Sequence, residues 1–169
     1  TAQGIRYCIN KKCDIINCSI AGPMDNDLED AINEAYSKGI IVVSATGNDG
    51  RNRLLYPASY LNCISVGSIN KSLDVSPFSN YNVFMTMVAP GEDIIFDISG
   101  EKIKDSGTSF SAPLVSGTLA LLKEKLKEEL GRKPKYSELY GELIKNCVVI
   151  NNIDRIKQGH GYLDFSAKA

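Results

Sequence analysis

Two short apolar runs, residues 14–20 and 40–45, flank one amphipathic stretch, and that order constrains the fold more than any other feature. Runs of this length with few polar breaks suit strands buried on both faces, as in a parallel sheet. Between them, Leu28, Ala31, Ile32, Ala35 and Tyr36 recur at helical spacing across residues 27–38. Acidic residues fill the first turn of that stretch and Gly39 lies just past its end. Both are helix-boundary signals, because acids complement the N-terminal dipole and glycine accepts a left-handed stop. Parallel strands need a crossover connection, which the helix supplies. The fold class is α/β.

The rest of the chain extends this pattern. Residues 63–69 and 85–88 read as further strands. Residues 93–105 alternate around Ser99, Gly100 and Glu101, which predicts a β-hairpin. The longest helical pattern spans 109–130, with Phe110, Leu114, Val115, Leu119, Leu122 and Leu126 along one side and Gly131 as the stop. A second helix is predicted over 137–146, before a tail containing Gly159 and Gly161. At the other end, Ile5, Cys8 and Ile9 form the buried stripe of a helix. A helix followed by a buried strand implies an earlier strand from which it crossed over. The whole of 1–169 then reads as part of one domain, with its first strands lying outside this sequence.

Charge narrows the partners. A formal net charge of -1 with no clustered Lys or Arg argues against nucleic acid and anionic membrane. Lys123, Lys125 and Lys127 are interleaved with Glu124, Glu128 and Glu129, the signature of a solvated helix face. No apolar run approaches the roughly 20 residues that span a bilayer. The 5 cysteines are odd in number and lack a C-x-x-C pair, so they fit neither a disulfide framework nor a zinc site. Free thiols in a reducing compartment are the plainer reading, with a secreted protein of few bridges as the alternative.

Two stretches carry potential chemistry. Residues 107–113 form a Gly-Thr-Ser turn leading into the long helix. Ser109 therefore sits where unpaired N–H groups and the helix dipole favour developing negative charge. It is either a nucleophile held there or simply the helix N-cap, a place serine favours. Residues 44–50 follow a buried strand, so Asn48 lies where α/β proteins bind ligands. Its side-chain N–H groups could serve an oxyanion, or the segment is an ordinary Gly-Asn-Asp-Gly turn.

Taken together, the stretches resemble a known family. Gly-Thr-Ser-Phe-Ser-Ala-Pro-Leu-Val-Ser-Gly, beginning at Gly107, is similar to the nucleophile motif of the subtilisin-like serine peptidases, usually Gly-Thr-Ser-Met-Ala-x-Pro-His-Val-Ala-Gly. Residues 40–50 resemble that family's oxyanion strand, and 14–22 its substrate-binding strand. Segments 56–58, 88–91 and 159–164 match further landmarks in the same order. The resemblance implies a subtilisin-like parallel sheet flanked by helices, with a hairpin before the nucleophile helix. It implies that Ser109 attacks a peptide carbonyl while Asn48 helps hold the oxyanion. Ser19, Ile20 and Ala21 would pair with an extended polypeptide substrate, and Ala45, Thr46 and Gly47 would wall the pocket before the scissile bond. A cis bond before Pro57 is implied as well.

The same resemblance exposes what the sequence lacks. The family's triad runs Asp, His, Ser, and neither Asp nor His has a counterpart upstream of Ser109. Asp105-Ser106-Gly107 spells the Asp motif but overlaps the nucleophile turn, while His160-Gly161 lies downstream and matches a C-terminal turn. His160 is the only histidine among 169 residues. In subtilisin, a member of that family, loss of the base costs about 10⁶-fold in turnover. Activity would therefore require an N-terminal part of the domain, covalently joined or supplied in trans. Open sheet edges imply pairing with that part or self-association. A non-catalytic binding module with the same fold is the alternative, and a hydrolase using His160 within about 3 Å of Ser109 is a third reading. Leu114 stands where the family has His, and is read as a packing position; Ala21 replaces a glycine and would crowd the substrate pocket. Family calcium sites draw largely on N-terminal residues, so no calcium ligand is assigned, and no other cofactor motif is present.

Overall fold

The computed structural model describes residues 1–166. Helix α1 (Ala2–Asn10) buries Ala2, Ile5 and Ile9, as the stripe predicts. Strand β1 (Ile15–Cys18) follows, then helix α2 (Asn26–Ser37) and strand β2 (Ile41–Ala45). Asp25 caps α2 by accepting the Leu28 N–H at 3.1 Å, and Gly39 turns the chain with φ +70. Strand β3 (Cys63–Ile69) coincides with its apolar run, and strand β4 (Met87–Pro90) comes next.

Strands β1 to β4 pair in chain order and in parallel, with Cys18 opposite Ser44 and Ala45 opposite Val66. The sheet sorts its side chains by the two-residue period of a strand. Val42 joins Ile5, Ile9, Leu28 and Ile32 on one face. Ile41, Val43 and Ala45 join Ile64, Val66, Val115 and Leu119 on the other. Helices thus cover both faces, which is why β2 and β3 are buried at every position.

Strands β5 (Ile94–Ile98) and β6 (Glu101–Asp105) form the expected antiparallel hairpin. Helix α3 (Thr108–Leu130) ends at Gly131 in the left-handed conformation, and helix α4 (Tyr136–Lys145) packs beside it. The peptide bond before Pro57 is cis.

Several expectations shift. Strand β1 stops at Cys18 because Ser19 and Ile20 leave the sheet toward a cavity. Strand β4 begins at Met87, since the Met85 N–H is held in a turn by the Asn82 carbonyl. Leu114 is 47% exposed, so nothing among the described residues covers it as a packing position would require, and the Phe110 ring lies tilted against Phe96 with centroids 5.2 Å apart. The tail holds strand β7 (Cys147–Val148), helix α5 (Arg155–Gln158) and strand β8 (Tyr162–Leu163), which extend the sheet beyond β4. Strand β1 lies at the opposite end of that sheet. All five cysteines are free thiols, and burial pushes Cys18 and Cys147 each up to about 11. No helix among the described residues is long and apolar enough to cross a membrane.

Candidate active site

The ends of β1 and β2 and the start of α3 meet at a cavity of about 650 Å³. Gly107 is the N-cap of α3 and Thr108 its first residue, so Ser109 lies inside the first turn and is not the cap. The first-turn amides lack intrahelical acceptors, which makes this turn a natural seat for negative charge.

Thr108 joins the helix to the β2 exit. Its backbone N–H and its hydroxyl both donate to Asn48 Oδ1, at 2.9 and 2.8 Å. Its hydroxyl oxygen in turn accepts the Gly47 N–H at 3.2 Å. These bonds occupy the carbonyl end of the Asn48 amide and leave Nδ2 available on the Gly107 side. A Cβ on Gly107 would stand 3.3 Å from that nitrogen, so glycine keeps the approach open. The backbone of Gly107, at φ 163, is extended and requires no glycine on conformational grounds. Gly47 is a different case. It has φ +97, and a Cβ would meet Asn80 Nδ2 at 2.7 Å and Leu55 Cδ1 at 2.8 Å.

The β1 exit is tied to the same turn. Ser109 Oγ donates to the Ser19 carbonyl at 3.3 Å, while Ser19 Oγ donates to the Ser109 carbonyl at 2.8 Å. That carbonyl is free because Pro113, four residues on, has no N–H to give it. Pro113 lies past the first turn of α3, so it is tolerated through this outside partner and not through its position.

Of the residues read from sequence, Ser109, Asn48, Ser19, Ile20, Ala21, Ala45 and Gly47 border the cavity. Thr46 does not. Its side chain is buried with Oγ1 unpartnered, and its backbone serves Val66 and Asn80. Sequence reasoning missed Thr108 and Asn80, both fully buried polar residues. The only hint was composition: a Thr and an Asn where apolar residues would pack more cheaply.

His160 is remote from this cavity. Its N–H donates to the Thr86 carbonyl at 2.8 Å, at the end where β4 begins, whereas the cavity gathers where β1 and β2 finish. Burial and nearby Arg155 both hold its imidazole below the usual histidine range. The reading that pairs His160 with Ser109 is therefore wrong. Among the described residues, no group of three or more His, Cys, Asp or Glu side chains could hold a metal ion.

Comparison with known proteins gives this geometry its context. A sequence model of the Subtilase family matches residues 1–161. The chain is 39% identical over 172 residues to the major intracellular serine protease of Bacillus subtilis (strain 168), covering 98% of this chain and 54% of that protein. It is 40% identical to the intracellular serine protease of Paenibacillus polymyxa, covering 98% of this chain and 52% of that one. The chain thus spans about half the length of these relatives. Among solved structures it superposes on the prenylagaramide maturation protease PagA with a TM-score of 0.87 and 31% identity, over 96% of this chain and 63% of that one. The protease domain of PatA, as its S218A mutant, gives 0.86 at 28% identity, over 96% of this chain and 61% of that one. On the family match and these identities, the chain belongs to the subtilase family.

Proposed function

We propose that this chain is the nucleophile-bearing part of a serine endopeptidase. The observation that carries the reading is the Thr108 bridge, which fixes Asn48 beside the turn that presents Ser109. Ser109 Oγ attacks the peptide carbonyl carbon as its proton passes to a histidine base. The Ser109 N–H and Asn48 Nδ2 receive the negative oxygen of the tetrahedral intermediate. The C–N bond then breaks, the amine leaves with the proton, and water hydrolyses the acyl-enzyme. Substrate lies extended along Ser19, Ile20 and Ala21, where β1 has left the sheet and, among the described residues, the Ser19 and Ile20 carbonyls meet only the hydroxyls of Ser109 and Ser44. Ala45 and Gly47 wall the pocket for the residue before the scissile bond.

In this reading the histidine and its aspartate come from an N-terminal portion of the domain. Three observations support it: the remote His160, the outer edge of β1, which pairs with no strand among the described residues, and Leu114 and Leu121, exposed on one face of α3 at 47% and 76%. An open edge and an apolar helix face invite a partner. The N-terminal portion is the occupant argued for, since the chain spans only about half of its relatives. Supplied without it, the chain self-associates, which sedimentation velocity detects.

The test is to join the chain to that portion and measure hydrolysis of an unstructured polypeptide. Activity that disappears in Ser109→Ala supports the assignment. Equal rates in parent and variant refute it. Tight peptide binding without turnover returns the chain to a non-catalytic role.

A further inference from the structure

Asn80 lies in the loop between β3 and β4 and is fully buried. An asparagine side chain offers two acceptor sites and two donors, and here all four are used on a single turn. Oδ1 accepts the Asp49 N–H at 3.0 Å and the Arg51 N–H at 3.1 Å. Nδ2 donates to the Thr46 carbonyl at 3.2 Å and to Asp49 Oδ2 at 3.1 Å. The Asn80 backbone N–H adds a bond to the Gly47 carbonyl at 3.0 Å. These contacts grip the turn on both sides of Asn48 without touching Asn48 itself. The absent side chain of Gly47 is what lets Nδ2 approach so closely, since a Cβ would stand 2.7 Å from it. Thr108 fixes the rotation of the Asn48 amide; Asn80 fixes the backbone from which that amide projects.

We infer that Asn80 is a positioning residue for the oxyanion donor, holding the 46–51 turn so that Asn48 Nδ2 meets the transition state in place. The inference rests on the peptidase reading above. It also follows from a cost argument. A buried amide with every group paired is worth keeping only where a unique geometry matters, because a half-paired one destabilises the site. Asp49 reinforces the turn from outside, its carboxylate shared between Asn80 and Arg53 at 3.1 and 3.2 Å and held below the usual carboxylate range, first by the Asn80 bond.

The test is a double-mutant cycle of Asn48→Ala and Asn80→Ala in the chain joined to its N-terminal portion, with competent sites counted by fluorophosphonate titration. Losing an oxyanion donor costs about 10²- to 10³-fold in kcat, a figure obtained on subtilisin, a member of this family, so losing only its positioning predicts a kcat fall of about 10- to 100-fold. KM should stay within about twofold, as for an interaction made only in the transition state. In the Asn48→Ala background the Asn80→Ala effect should vanish, because no donor remains to be positioned. Asn80→Ser keeps a small polar side chain and adds no charge beside Asp49, so it supplies a folded form should Asn80→Ala collapse, and it should show the same dependence on Asn48. Equal losses in both backgrounds, or a change confined to KM, overturn the inference while leaving the peptidase reading intact. If Asn48→Ala itself costs nothing, the oxyanion assignment falls and the inference falls with it.

Discussion

Ser19 and Ser109 hold each other by reciprocal hydrogen bonds, each hydroxyl donating to the other's backbone carbonyl, at 2.8 Å from Ser19 and 3.3 Å from Ser109. The pair locks the strand proposed to receive substrate onto the turn proposed to attack it. It exists because Pro113 withholds the N–H that would otherwise close the helix on the Ser109 carbonyl.

That account predicts a conditional cost. Ser19→Ala should lower stability by about 0.5–1.5 kcal/mol, the usual worth of one hydrogen bond. Pro113→Ala restores an N–H at that position, so in its background the Ser19→Ala loss should shrink. Denaturant midpoints of the four proteins decide it; an equal loss in both backgrounds would mean that the Ser109 carbonyl never depended on Ser19.

Thr108 supplies a second test. Thr108→Val keeps the shape but removes one donor to Asn48 Oδ1 and the acceptor for the Gly47 N–H. With polar groups left unpaired at a buried site, the expected destabilisation is about 1–3 kcal/mol. Thr108→Ser keeps the hydroxyl and should recover most of it. If serine and valine behave alike in a thermal melt, the methyl group matters and the bridge does not.

The pH dependence of α4 follows from Glu138. Its carboxylate takes a two-pronged bond from Arg132, at 2.6 and 2.9 Å, and the Lys135 N–H at 2.7 Å. Arg132 first, then the Lys135 N–H, bring its carboxyl down to about 2. A depressed folded value means that the stabilisation is complete above the unfolded value, near 4.3, and is lost as pH falls through the folded one. Parent and Glu138→Gln should therefore differ in urea midpoint at pH 5 and converge as pH drops toward 2. A gap that is constant across that range would remove the ionised carboxylate from the explanation.

His160 should be dispensable for chemistry. It lies at the far end of the parallel strands from Ser109, so His160→Gln should leave turnover of the joined enzyme within about twofold of the parent. A loss of several orders of magnitude, with the fold intact by circular dichroism, would identify it as the base.

The fold was legible in sequence wherever one face or one period dominated. Strand β3 was read to the residue because every position from Cys63 to Ile69 is buried. Helix α3 was read with its glycine stop, yet the exposure of Leu114 in this chain did not show, because leucine at helical spacing looks the same whether a partner covers it or not. Strands β7 and β8 escaped notice because two residues each show no period, and they join the sheet through the distant pairing of Tyr162 with Val88. The site divides in the same way. Ser109 and Asn48 stand in short motifs at element boundaries, which local sequence displays. Thr108 and Asn80 act through bonds across 60 and about 30 positions, and no local pattern announces a long-range polar contact.

The most direct measurement is covalent labelling by a fluorophosphonate, followed by intact mass and peptide mapping. With the N-terminal portion present, the account predicts one adduct, on Ser109, forming rapidly and slowed strongly by Asn48→Ala. Without that portion the adduct should form slowly or not at all. An adduct on any other residue, or a Ser109 that stays unlabelled in the joined protein, would contradict the claim that this turn presents an activated nucleophile.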